Sequence, residues 1–141
     1  MDFKRPESVL VIAATEEKEI LCLRRQDMQT FWQSVTGSLL PHEKPLNGAL
    51  RELTEETGLT SADGILMDCQ HSAYFEIYPQ WRHRYPPGVT QNLEHVFCFW
   101  LKSKKEIKIS REHVQYCWLS KDEAIKLVTS ASNKNAIEQF I

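Results

Sequence analysis

The stretch Gly37-Ser-Leu-Leu-Pro-His-Glu43-Lys-Pro-Leu-Asn-Gly-Ala-Leu-Arg51-Glu52-Leu53-Thr-Glu55-Glu56-Thr-Gly58-Leu59 decides how the rest of the chain is read. Its second half predicts a helix from Pro45 to Thr57. Pro45 suits the first helical position, where its missing N–H would have no partner anyway. Gly58 suits the left-handed residue just past the end. At about 100° per residue, Leu46, Ala49, Leu50, Leu53 and Thr57 form one stripe. Glu52, Glu55 and Glu56 share a second arc, about 130° from the middle of that stripe. Like charges so placed repel by a few tenths of a kcal/mol per pair, and the C-terminal half of a helix disfavours anions. Arg51 offsets part of this. On the residues alone two readings stand: a solvated acidic face, or a divalent-cation site in which the crowding becomes useful. Carboxylate oxygens suit a hard ion such as Mg²⁺ or Mn²⁺ rather than zinc.

Outward from this helix the pattern is strand-rich. Ser8–Ala14 reads as a buried strand, Glu16–Lys18 as a polar turn and Ile20–Leu23 as a second strand, together an antiparallel hairpin. Phe31–Val35 is a short strand, Ile65–Tyr78 is strand-rich, and His95–Leu101 and Tyr116–Leu119 are further strands. Residues 78–93 carry Pro79, Pro86, Pro87 and Gly88 and read as a long irregular loop. Ser120 with Glu123 three residues on forms a capping-box pattern before Ala124–Val128. Ser132 precedes a short amphipathic helix, Asn135–Phe140. Strands on both sides of a central helix make the class α/β or α+β, in one domain over 1–141.

Composition narrows the function. The 141 residues carry 17 Lys+Arg against 19 Asp+Glu, a formal charge of −2. No global basic field exists to draw a nucleic-acid backbone or an anionic membrane, so neither is expected as a partner. Any phosphate chemistry must come from a local site or a metal. Val9–Ala14, the most apolar run near the N-terminus, is far shorter than the ~20 residues of a membrane span. The polar Thr15–Glu19 leaves no secretory cleavage pattern. Cys22, Cys69, Cys98 and Cys117 contain no Cys-x-x-Cys and sit in apolar runs, which reads as buried free thiols in a reducing cytoplasm.

The spacing of the opening stretch, G-x5-E-x7-R-E-U-x-E-E-x-G-U with U aliphatic, resembles the 23-residue box of the Nudix hydrolases, and every fixed position is filled. That resemblance implies an α/β/α sandwich with a mixed central sheet, in which the box forms strand, loop and helix. It also implies hydrolysis of a nucleoside diphosphate linked to another group, with Mg²⁺ or Mn²⁺ as cofactor. Under it, Glu52, Glu55 and Glu56 hold the cation and Glu43 orients either Arg51 or the metal glutamates. Arg51 in turn holds the acidic side chains, and Gly37 turns the backbone tightly so that its carbonyl faces the metal. One departure is Leu40-Pro41-His42 before Glu43, where relatives more often carry acidic residues and glycine.

Outside the box, Lys4–Pro6, Phe31–Ser38, Phe75–Ile77, Arg82–Tyr85, Pro87–Thr90 and Ala136–Phe140 resemble the subgroup of that family acting on dihydroneopterin triphosphate. The implied activity is cleavage of this small-molecule triphosphate to the monophosphate and pyrophosphate. A housecleaning pyrophosphohydrolase of dATP or oxidised nucleotides is the alternative, and a non-catalytic binding module the third. By the same resemblance Glu112 joins Glu52 and Glu56 at the metal, while Lys4, Arg25, Thr36, Phe75, Glu76, Ile77, Tyr78 and Ser130 contact substrate. Each has a plainer competitor: Lys4 and Arg25 as surface charges, Thr36 and Ser130 as turn or cap hydroxyls, Glu112 as a solvated loop residue. Trp32, Phe75 and Tyr78 either wall a flat ring or belong to the core. The five histidines show no metal-ligand spacing, and His83 lies in a basic-aromatic loop read as a cleft rim.

Overall fold

Strand β1 (Glu7–Thr15) is buried on both faces, as its uninterrupted apolar run requires, and the sheet is organised about it. The computed structural model describes residues 2–141. On one side β1 runs parallel to β6 (Gln91–Leu101), from Glu7 opposite Leu93 to Thr15 opposite Leu101. Beyond β6 lies the antiparallel β5 (Ile65–Glu76), whose register shifts between Asp68 and His71. The other edge of β1 is divided. Ser8–Val11 pair with β4 (Val35–Ser38), whereas near the far end Ala14 pairs with Ile20 of β2 (Glu19–Arg25). From there β2 carries β7 (His113–Ser120) on one side and the two-residue β3 (Trp32–Gln33) on the other. The result is a mixed seven-stranded sheet.

Helices cover both faces. The helix α1 (Pro45–Thr57) has the bounds its sequence predicts, with Pro45 in the first turn and Gly58 left-handed at φ 78°. It packs Ala49 and Leu53 on Val9, Val11, Val35, Phe97 and Phe99. Opposite it, α2 (Lys121–Leu127) and α3 (Ala131–Phe140) cover Leu10, Ile12, Val96 and Cys98. These are the three layers of an α/β/α sandwich.

Local differences from the sequence reading have identifiable causes. The buried face of α1 is centred on Ala49, Glu52, Leu53 and Glu56, so Leu46 is 51% exposed. The α2 capping box forms as expected, but α3 starts at Ala131, because the Ser130 hydroxyl accepts the Asn133 amide and caps it earlier than Ser132 would. Residues 78–93 are not wholly irregular: Pro79–Arg84 forms a 3₁₀ turn and β6 already begins at Gln91. The thiols, distant in sequence, meet in pairs. Cys22 faces Cys117 across β2–β7, and Cys69 Sγ lies 3.3 Å from Cys98 Sγ. All four are free, with Cys22 and Cys98 buried and the other two half-buried.

Candidate active site

Where β4 leaves β1 and the β2–β3–β7 wing turns away, a cleft of about 1820 Å³ opens. It gathers Lys4, Arg25, Thr36, Gly37, Arg51, Glu52, Phe75, Glu76, Ile77, Tyr78, Glu112 and Ser130, residues spread over most of the chain.

Glu52 and Glu56, one helical turn apart, project from the flank of α1 toward β4. Glu52 is 8% exposed and Glu56 1%. Gly37 permits this approach: an added Cβ would overlap the Glu52 carboxylate. Gly37 lies in β4 opposite Val9, without positive φ, so it makes no tight turn there; its missing side chain is what the site uses. Both Glu56 oxygens are buried without a hydrogen-bond partner. Desolvation, then Glu52 and Glu112, push the Glu56 carboxyl well above its ordinary range, opposed by the Thr36 amide. When both are ionised, the two neighbouring carboxylates repel each other.

Arg51 organises the acidic group. Its Nε and Nη2 donate to both oxygens of Glu43 at 2.9 and 2.8 Å, and Nη1 donates to Glu52 at 2.7 Å and to Glu55 at 3.3 Å. Glu55 is exposed, whereas Glu52 lines the cleft and Glu56 is buried beside it, so the arc of three glutamates divides into two buried and one outside. Among the described residues no ready-made cage of three ligating side chains occurs. An orphaned buried carboxylate beside a second one nevertheless fits a hard divalent cation in its donor chemistry, with Glu112 available from the cleft wall.

Cations line the same cleft as these carboxylates. Arg25 holds Asp27 bidentately at 2.7 Å and stacks 4.4 Å from the Trp81 ring centroid. Lys4 is exposed at the rim; partial desolvation, then Arg84, lowers its pKa, while Glu112 and Glu52 act the other way. Thr36 lines the cleft, and its hydroxyl donates to the Val9 carbonyl at 3.0 Å. Ser130 lines the cleft while its hydroxyl caps α3. Glu76 is turned to Arg82 and Gln91, and Ile77 is buried. The aromatic wall consists of Phe31, Tyr78 and Trp81, with centroids 5.4–5.7 Å apart, beside Phe75. Trp32 instead packs against the core under α2 and α3, since neighbours in a strand point to opposite faces.

A NUDIX domain model matches residues 4–140. The chain belongs to the Nudix hydrolase family. An Escherichia coli K12 protein named dihydroneopterin triphosphate diphosphatase is 44% identical over 142 aligned positions, covering 99% of this chain and 94% of that protein. A Haemophilus influenzae protein of the same name is 38% identical, covering 100% and 90%. The solved structure of the E. coli dihydroneopterin triphosphate pyrophosphohydrolase superposes with a TM-score of 0.94 at 42% identity, covering 100% of this chain and 98% of that one. A Caenorhabditis elegans Ap4A hydrolase complex, at 20% identity and TM-score 0.78 over 95% and 93%, shares the fold. Nudix hydrolases generally use a divalent metal.

In and beside this Nudix cleft the structure adds groups that the sequence reading passed over. His113 is buried with Nε2 3.9 Å from Glu56 Oε1 and 3.1 Å from the Gln33 amide. Desolvation, then Arg25, lowers its pKa to about 4, so it is neutral near pH 7. No spacing singles out His113; only the β2–β7 register brings it beside Arg25 and Glu56. Glu94, on β6, is the other addition.

The Glu43–Arg51 pair carries a prediction of its own. Hydrogen bonding to Arg51 holds the Glu43 carboxyl down to about 2. A carboxyl depressed in the folded state stabilises fully above its unfolded value of about 4.5 and loses that contribution as pH falls through about 2. Glu43→Gln should therefore cost at most about 3 kcal/mol at pH 7 and flatten the acid limb of stability. Turnover should fall ~10–100-fold, as for residues that orient metal ligands. Denaturant titrations at pH 7, 4 and 3 read this; curves parallel to wild type would remove the charge-dependent role.

Proposed function

We propose that this chain is a pyrophosphohydrolase dependent on Mg²⁺ or Mn²⁺, cleaving dihydroneopterin triphosphate to the monophosphate and pyrophosphate. The observation that carries this reading is the buried, unpartnered Glu56 carboxylate beside Glu52, which lines a cleft that also holds Lys4, Arg25 and Glu112. Hydrolysis consumes one water and breaks one phosphoanhydride bond. A bound divalent ion supplies charge neutralisation and polarisation. Glu52, Glu56 and Glu112 would hold it, and Arg51 with Glu43 would fix Glu52. Lys4 and Arg25 would bind the outer phosphates, and the Phe75–Tyr78 segment would face the ring. The names of the full-length relatives at 44% and 38% identity support the pterin over other triphosphates.

Steady-state comparison of dihydroneopterin triphosphate with dATP, with product analysis, tests the reading. The pterin should have the larger kcat/KM and release pyrophosphate without orthophosphate; preference for dATP would replace the reading with nucleotide housecleaning. Arg25→Ala should raise KM for every triphosphate by about 10-fold, because the cation proposed for the outer phosphates is lost and Asp27 keeps only Arg84 beside it. Tyr78→Ala should instead change the ratio between pterin and dATP. Unmoved KM values in the first variant together with equal losses in the second would overturn this placement.

A further inference from the structure

The ring end of the cleft holds a carboxyl group that the reaction does not use. Glu94 is 6% exposed and lines the cleft with Leu10, Ile77 and Asn133. Four arginines that line the same cleft are paired elsewhere: Arg25 and Arg84 with Asp27, Arg82 with Glu76, Arg51 with Glu43, Glu52 and Glu55. The neighbouring amides are engaged as well. Asn92 Nδ2 donates to Ser8 at 2.7 Å, and Asn133 exchanges hydrogen bonds with Ser34. Burial pushes the Glu94 carboxyl up to about 7, opposed by the Ser132 hydroxyl. A buried carboxyl without an ion-pair partner is costly, so its place on a cleft wall calls for a partner that arrives with the substrate.

Sheet register fixes its distance from the phosphate end. Ser38, Ser8 and Glu94 lie in one row across β4, β1 and β6. At ~4.8 Å per strand, Glu94 is about 10 Å from the residue that follows Gly37. A single small triphosphate reaches from Glu52 to Glu94 over such a span.

We propose that Glu94 reads the hydrogen-bonding edge of the substrate ring, its two oxygens accepting the adjacent N–H donors of a 2-amino-oxopyrimidine edge. This inference rests on the triphosphate reading above and specifies its ring. Pterin presents such an edge, with a ring N–H beside the 2-amino group, and guanine presents the same pair. Adenine offers one donor beside one acceptor, which sets a ring lone pair against a carboxylate oxygen. Hypoxanthine keeps the ring N–H but lacks the 2-amino group.

The test measures kcat/KM for dihydroneopterin triphosphate, dGTP, dITP and dATP by pyrophosphate release, using the full chain and Glu94→Gln. A glutamine offers one acceptor and one donor and so matches adenine. The wild-type enzyme should prefer dGTP over dITP by at least ~10-fold, the discrimination expected for a hydrogen bond to a charged group. Glu94→Gln should lower the pterin:dATP and dGTP:dATP ratios by ~30-fold or more. Equal use of dGTP and dITP by the wild type, or a variant that slows all substrates alike, overturns the assignment. The wild-type dGTP:dITP ratio decides even where the variant folds poorly. A wild type that handles the pterin no better than nucleotides would sink the pterin reading but leave the Glu94 assignment to that same ratio.

Discussion

Glu56→Gln will reduce kcat by about 10³-fold or more, while the metal-free protein stays at least as stable as wild type. The substitution keeps volume and removes the anionic charge from a group whose two oxygens have no protein partner. Its stability effect has a definite sign. Desolvation and the neighbouring Glu52 raise the Glu56 pKa in the folded state above the ordinary 4.5. Between those two values the folded chain binds the proton that the unfolded chain has released, so metal-free wild type loses stability as pH rises through that window. The glutamine variant has no such slope, and its advantage should therefore be larger at pH 8 than at pH 5. Denaturant midpoints in a chelating buffer at both pH values, with single-turnover rates in added Mg²⁺, measure both halves. Near wild-type turnover would remove Glu56 from the reaction, and a variant less stable at pH 8 would contradict the electrostatic account.

Gly37→Ala should lower kcat by about 10²-fold with little change in melting temperature, the next largest effect. Gly37 has ordinary extended backbone in β4, which alanine adopts without strain. The added methyl meets the Glu52 carboxylate, which must then turn away from Gly37 and from Arg51 Nη1. A displacement of ~1 Å at such a group costs rates of this order. Affinity for Mg²⁺ should weaken in parallel, readable by calorimetry. A variant with kcat within threefold of wild type would show that Glu52 tolerates another position.

The sequence made α1 legible to the residue because both ends are punctuated by backbone chemistry, Pro45 and the left-handed Gly58. The spacing of Glu52 and Glu56 was equally readable, being local. It was less able to say which of three neighbouring glutamates would be buried: Glu55 is exposed and the adjacent Glu56 buried because of how α1 sits against the sheet. Residues whose role depends on register across strands were harder still. His113 reaches Arg25 and Glu56 through the β2–β7 pairing, and Glu94 reaches the cleft through the row it shares with Ser8 and Ser38. Thr36 differs: its position was legible, but its hydrogen bond to the Val9 carbonyl depends on the neighbouring strand.

The divided edge of β1 has a consequence for how such a molecule changes over generations. Gly37 and the α1 carboxylates stand on one branch and Arg25 and Gln33 on the other, and the second branch pairs with β1 only through Ala14 and Ile20, although His113 brings it against Glu56. Substitutions that reshape the Arg25 branch away from His113 can accumulate without disturbing the contact that seats Glu52 against Gly37. The fork thus separates an inherited reaction from a negotiable choice of reactant, letting a lineage exchange one phosphorylated molecule for another while its hydrolytic machinery stands still.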